Sequence, residues 1–445
     1  KTAYEIGVRL VGSEMCIRDS PTYAHSLGAN GYEPVQIGRM HFNGIDQYHG
    51  FTERLVGDHN RNHLGSPRSP GTHGDLQGTA GPSRFSLENS GTGQTAYEIH
   101  DEIVAESAVE YINELGKTPV KERKPISLSI GLMLPHQPFI ARKKDYEKYE
   151  GKVGFPKIPA EALEDCHPYI KWWRERTGIV SVTEEEIIRS RTAYWALCER
   201  TDALVGSILK ALESNGILEN AIVIYTSDHG EQAGEHGLWW KQTFYEDSVK
   251  VPAIISWPGH IQENVTRDIV LNQFDLISTI LEASGAPDLP RSNGRSLLST
   301  LQHPNENWEN IAFSEYCMSD SEHGRAYSPN LGGDDIHAKP GGVQNRMIRS
   351  GPWKLNYYHG YQPQLFNLQD DPTERLDRNN DPSCKGIKSE LLDRVLENWD
   401  PDLIRTKMHT LKEEQIISED WASNTAPKDE LRWELDPNMD QLTES

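Results

Sequence analysis

Apolar residues along this chain switch between two spacings, and their order predicts a helix followed by a strand three times over. A short helix is expected at 21–30, closed by Gly31, with 33–37 as the strand behind it. Ile99, Val104, Ala108, Tyr111, Ile112 and Leu115 recur at near-helical intervals, stop at Gly116, and precede the alternating strand Ile126-Ser-Leu-Ser-Ile130. The strongest helix opens on a Thr183-x-x-Glu186 capping box, carries Tyr194, Leu197, Thr201, Leu204, Ile208 and Leu212, and ends near Gly216. After it, Ala221-Ile-Val-Ile-Tyr225 and 251–256 read as buried strands and 275–283 as a helix.

Beyond about Leu301 the pattern changes to strands joined by short turns, at 311–316, 346–349, 353–358 and 365–368, followed by a helix at 388–399. The expected fold class is therefore α/β: a large mixed, mostly parallel sheet flanked by helices over 21–301, with a small C-terminal antiparallel α+β subdomain over 302–400. Residues 401–445 read as an acidic, weakly periodic tail, in which Trp421 and Trp433 would anchor onto the body or onto a second subunit of a homo-oligomer. Two stretches, 59–94 and 319–342, are rich in Gly, Ser, Pro, Asn and His and exceed ordinary loop lengths, so they read as substrate lids or as disordered segments.

Chemistry collects where the predicted strands end. Gly38-Arg-Met-His-Phe-Asn-Gly44 delivers Arg39 and His41, Leu134-Pro-His-Gln-Pro-Phe139 delivers His136, and residues 226–241 deliver Asp228, His229 and Lys241. Open α/β sheets bind ligands beyond the carboxyl ends of their strands, and a carboxylate beside an imidazole is a metal-ligand pair. Each group alone has an ordinary structural use: His41 and His136 as core imidazoles, Lys241 as a helix-end charge, Asp228 as an N-cap. Their coincidence at successive strand ends favours a site.

Composition narrows the partners. A formal net charge of −22 over 445 residues repels nucleic acid and acidic membranes. No window approaches the roughly 18 consecutive apolar residues that span a bilayer. No intact secretory signal is visible, which leaves a periplasmic or secreted home and a cytoplasmic one both open. Cysteines 16, 166, 198, 317 and 384 are odd in number and scattered, suggesting neither a disulfide framework nor zinc. Residues 1–20 have no period, and Val11-Gly-Ser-Glu-Met-Cys-Ile-Arg-Asp-Ser20 resembles a non-native scar; the expectation is a chain that has lost its first strand.

Several motifs, in order, resemble the type I sulfatases of the alkaline-phosphatase superfamily, and choline-sulfatase-like enzymes most closely. They are Gly38-Arg-Met-His41 continuing to Gly50, Pro135-His-Gln-Pro-Phe139, Ser227-Asp-His-Gly230, Gly234-Glu-His-Gly-Leu-Trp-Trp-Lys241, Asn293-Gly-Arg-Ser-Leu297, Trp353-Lys-Leu355 and Asp371-Pro-x-Glu374. The resemblance implies hydrolysis of a sulfate ester, small-molecule or carbohydrate, on a formylglycine nucleophile beside a divalent metal, usually Ca2+, with Mg2+ or Mn2+ open. Lys241 would bind sulfate, His136 would contact it and protonate the leaving alcohol, and His41 would sit by the nucleophile. Arg39 stands where the family more often has Lys, and a planar fork does not replace a point charge without rearrangement. Asp228 would ligate the metal, and His229 matches a position that is Asn, Gln or His across the superfamily. The family's paired N-terminal carboxylates and its Cys-x-Pro-x-Arg or Cys-x-Ala-x-Arg motif are not found, so the chain as written is expected not to turn over sulfate esters. A phosphomonoester or phosphodiester hydrolase of the same superfamily, or a non-catalytic binding homologue, are the alternatives.

Overall fold

The computed structural model describes residues 20–42, 44, 46–59, 62–63, 72, 76–160, 166–303, 305–318, 342–428, 431–434 and 436–443. The scar expected at 1–20 lies outside them save for Ser20, as do most of the 319–342 stretch and much of 59–75. Helix α1 (Tyr23–Ala29) turns at left-handed Gly31 into strand β1 (Glu33–Gly38). That strand is the centre of a parallel sheet, paired on one side with β2 (Glu53–Arg54). Helix α2 (Ala96–Lys117) then leads to β3 (Ile126–Gly131), the partner on the other side, with Val35 opposite Leu128.

The periodicity that predicts α2 also packs it. Val104, Ala105, Ala108 and Ile112 are buried in one core with Val35 and Ile37 of β1 and with Ala196, Leu197, Leu204 and Ile208 of α3 (Glu184–Ser214). Each Val, Leu or Ile among them contributes about 1.5–3 kcal/mol on full burial, and the alanines less. The Thr183–Glu186 capping box forms as expected, with Glu186 N–H donating to Thr183 Oγ1 at 3.2 Å. Gly38 lets the chain leave β1: at φ 86° a Cβ would come within 2.3 Å of the Gly131 carbonyl oxygen.

Strands β4 (Val223–Thr226) and β5 (Ala253–Ser256) exist, but they form an antiparallel pair and are not buried; Ile254 is 61% exposed. An apolar run is buried only when neighbours cover it, and among the described residues β4 has a single paired neighbour. Helix α4 (Gln273–Ala283) packs Leu281 against Leu27 of α1.

The C-terminal region is the expected antiparallel sheet, with strands up to four residues longer than their sequence signals. Strands β6 (Ile311–Met318), β7 (Val343–Ser350), β8 (Trp353–Tyr358) and β9 (Gln364–Asn367) lie in the order β9-β8-β7-β6. Helix α5 (Lys385–Leu396) covers them, burying Leu391 and Val395 against Ile348, Leu355 and Leu365. The tail departs from its weakly periodic reading. Residues Pro401–Thr425 form a 25-residue helix, α6, opened by Asp400, whose side chain accepts the N–H groups of Asp402 and Leu403, with Pro401 in the first turn. The last described residues return to the body: Gln441–Leu442 pairs with the strand Gly91–Gln94, and Trp433 packs edge-on against His100 at 5.0 Å. No helix of the described residues is long and apolar enough to cross a membrane.

Candidate functional site

Beyond β1, β3 and β4 the chain delivers the six expected groups into one connected cluster. Arg39 Nη2 donates to His41 Nε2, and the Arg39 guanidinium carbon lies 5.8 Å from the centre of the Tyr97 ring. The Tyr97 ring is 6.1 Å from that of His136, which meets His229 edge-on at 6.0 Å. Lys241 Nζ donates to His229 Nε2 at 2.8 Å, and Asp228 Oδ2 lies 3.5 Å from the same nitrogen.

Local chemistry explains each placement. His41 has φ 55°, a left-handed conformation costly for a residue with a Cβ, and its N–H donates to Asp58 Oδ2 at 3.1 Å. The His136 loop is held by α2: both carboxylate oxygens of Asp101, on the first turns of that helix, accept the Met133 and Leu134 N–H groups at 2.7–2.9 Å. His136 Nδ1 donates to the Gln137 carbonyl at 2.7 Å, which leaves the lone pair on Nε2. Lys241 closes a loop knotted by Glu231, whose Oε1 accepts from Ala233 N–H at 3.0 Å and Trp240 N–H at 2.6 Å. Buried Gln232 ties the same loop to Ser248 Oγ at 2.7 Å. Gly230 permits the fold, since a Cβ there would meet the Asp247 carbonyl at 2.1 Å. Trp239 and Trp240 are core residues, 1% exposed, and Trp239 packs on Phe139 at 5.6 Å.

Burial and mutual repulsion set the charges. Burial, then Arg39, pushes His41 down to about 3. Burial, then Lys241 and Arg39, holds His136 well below its usual range, and burial followed by Lys241 lowers His229. Desolvation also lowers Lys241, against the pull of Asp228. For Asp228, desolvation by the surrounding loops pushes the carboxyl up, but His229, Lys241, His41 and Arg39 together outweigh it and keep it below its usual range. The cluster at neutral pH is thus two fixed cations, Arg39 and Lys241, among three neutral imidazoles, with Asp228 ionised and its side chain 72% exposed at the rim. Burial lifts Glu231 to about 7 despite its two N–H donors.

Two donors face a prospective cation. His229 Nδ1 donates to the Gly230 carbonyl at 2.8 Å, a backbone support usual for a metal-bound histidine, and leaves the Nε2 lone pair beside Asp228 Oδ2; that lone pair accepts from Lys241 Nζ, which a cation would have to displace. Among the described residues no three carboxylate, imidazole or thiol groups gather closely enough to enclose an ion. Sequence reasoning passed over Asp58, Tyr97, His100 and Asp101, which brace the cluster. One signal was present: Asp58-His59 is the same dipeptide as Asp228-His229. His236, in contrast, is a packing residue, stacked on Tyr245 at 4.1 Å with Nε2 on the Thr373 carbonyl at 2.9 Å.

The C-terminal sheet reaches this loop through a buried ion-pair network. Lys354 of β8, fully buried, places Nζ 2.9 Å from Glu246 and 2.7 Å from Glu374, and Glu374 accepts the Glu246 N–H at 2.6 Å. Arg349 of β7 adds a contact to Glu246 at 3.3 Å. The motifs Trp353-Lys-Leu355 and Asp371-Pro-x-Glu374 therefore pin the segment that follows Lys241.

Comparison with known proteins fits this geometry. A family profile described as Sulfatase matches residues 17–286. The choline-sulfatase of Rhizobium meliloti (strain 1021) is 30% identical over 371 residues, covering 80% of this chain and 66% of that protein, so the chain spans just under two thirds of its relative's length. Among solved structures, the phosphonate monoester hydrolase of Agrobacterium radiobacter superposes with a TM-score of 0.64 at 19% identity, over 91% of this chain and 84% of that one. A protein solved with its substrate D-glucosamine-2-N,6-O-disulfate gives 0.63 at 18% identity, over 90% and 87%.

Proposed function

We propose that this chain, which belongs to the sulfatase family, carries the anion-binding half of a sulfate-ester hydrolase site built from Arg39, His41, His136 and Lys241. The observation that supports this reading most is the pairing of two partly buried cations with neutral imidazoles at successive strand ends. A sulfate ester carries negative charge on several oxygens, and fixed positive groups in a desolvated site stabilise it far more than they would in water. Lys241 and Arg39 would take the sulfate oxygens. His136 enters the reaction neutral, with its lone pair on Nε2; an anionic ester beside it would offset the repulsion of Lys241 and Arg39 and raise its proton affinity. Only then would it hold a proton for the leaving oxygen. His41 stays neutral with its Nε2 lone pair committed to the Arg39 guanidinium, so its part is to orient that cation beside the anion.

Asp228 and His229 fit a divalent cation, Ca2+ first and Mg2+ or Mn2+ as alternatives, as two ligands of a larger set. When bound, such an ion would supply further positive charge to the transferring group. A formylglycine nucleophile is not among the described cysteines: Cys317 and Cys384 are buried under the C-terminal sheet, Cys198 lies on α3, and Cys166 packs beside the Trp239 core. No turnover is assigned to the described residues alone. The same cations suit a phosphoryl group, and the ester, whether a small molecule such as choline sulfate or a sulfated sugar, is settled by assay. Calorimetric titration with inorganic sulfate tests the reading. Lys241→Ala should weaken binding about tenfold to a hundredfold, the worth of one hydrogen bond to a charged group. Equal affinity in the variant, or a strong preference for phosphate, refutes the sulfate assignment.

A further inference from the structure

Both members of the Arg39–His41 pair converge on Asp58, a residue 17 positions after His41 and outside every motif noted above. Its carboxylate is 2% exposed. Oδ2 accepts the His41 N–H at 3.1 Å and lies 3.8 Å from Arg39 Nε, while Oδ1 lies 3.1 Å from His59 Nδ1. His59 Nε2 in turn meets the Tyr97 hydroxyl at 3.4 Å. The same segment is held from behind: His100 Nε2 contacts the Gly57 carbonyl at 2.9 Å, and the Trp433 N–H donates to the Asp58 carbonyl at 2.9 Å. His41 keeps its left-handed backbone only if its surroundings over-determine it, since a residue with a Cβ is strained there. Asp58 is the side chain that holds the strained N–H.

We propose that Asp58 is a positioning residue, which fixes the Arg39 guanidinium and the His41 backbone so that both cationic and imidazole groups face the same anion. This rests on the anion-site reading above. The proposal has an unusual sign. A carboxylate beside the Arg39 guanidinium repels an incoming anion, so if Asp58 acted through its field alone, removing it would tighten sulfate binding. If it acts by holding geometry, removal loosens binding although a repulsive charge has gone. Arg39 would then be free to swing, and His41 would relax toward an ordinary φ.

The test uses the whole chain and inorganic sulfate as the probe. Asp58→Ala should weaken sulfate binding tenfold or more. Asp58→Asn, whose amide oxygen still accepts the His41 N–H, should bind within about threefold of the unaltered chain. Sulfate affinity that is unchanged or tighter in a folded Asp58→Ala overturns the proposal, and so does an Asn variant that binds no better than the Ala variant. Should Asp58→Ala fail to fold, Asp58→Ser takes its place, with the same outcomes. A second readout is independent of the ligand: exchange of the His41 amide should quicken in the Ala or Ser variant and stay slow in Asn, and equal exchange in both overturns the proposal. An unaltered chain that binds no sulfate refutes the anion-site reading instead, and amide exchange then decides the role of Asp58.

Discussion

Replacing Glu231 by Gln isolates a single titration. The carboxyl accepts the Ala233 and Trp240 N–H groups, which an amide oxygen can also accept, so the loop geometry should survive. Burial raises the group from 4.5 to about 7 in the folded chain. Between those values the folded protein holds a proton that the unfolded chain has released, so the stability contributed by Glu231 is complete below pH 4.5 and is lost as pH rises to about 7. One proton over one pH unit is worth about 1.4 kcal/mol, which across this interval of about 2.5 units gives an upper bound of about 3.5 kcal/mol. Glu231→Gln should therefore gain on the unaltered chain as pH rises from 4.5, approach an advantage of up to about 3.5 kcal/mol above pH 7, and hold it from there. Urea unfolding of both proteins at half-unit steps from pH 4.5 to 8.5 measures the difference directly. Parallel profiles, or a Gln variant that loses ground as pH rises, would refute the argument that this carboxyl is neutral in the folded loop.

Three further outcomes are expected. Lys354→Met leaves Glu246 and Glu374 without their shared cation and should cost about 3–5 kcal/mol in denaturant unfolding, the usual penalty for breaking a buried pair; less than about 1 kcal/mol would show that the network is not coupled to stability. Asp101→Ala strands two buried N–H groups at about 1–3 kcal/mol each, and should also speed amide exchange at Met133 and Leu134 while sparing β9. Calcium titrated calorimetrically should bind more weakly to Asp228→Asn than to the unaltered chain, and identical isotherms would remove Asp228 from any metal site.

Local signals carried much of the fold. Apolar spacing located α1, α2, α3 and the strands ahead of Arg39, His136 and Asp228, because a helix or strand buries one face and writes that face into the sequence. Burial of β4 and β5 did not follow, since covering a strand depends on neighbours that its own residues do not specify. Helix α6 was obscured by its acidic composition, although Asp400-Pro401 is a helix-start signature. The bracing of the site was illegible for another reason. Asp58 acts on residues 17 and 19 positions upstream, and Lys354 meets a carboxylate 108 positions away, so only the folded topology brings such partners together.

The Lys354 network also limits how this chain can be recombined. A chimera that grafts residues 302–400 from a relative onto residues 20–301 would have to bring a lysine at 354 and a carboxylate at 374 to meet the Glu246 already in place. A graft lacking either would leave an unmatched charge beneath the loop that bears Lys241. Crossovers that ignore this trio should yield hybrids whose C-terminal sheet forms but docks loosely, so the productive boundaries for shuffling are those that inherit all three positions together.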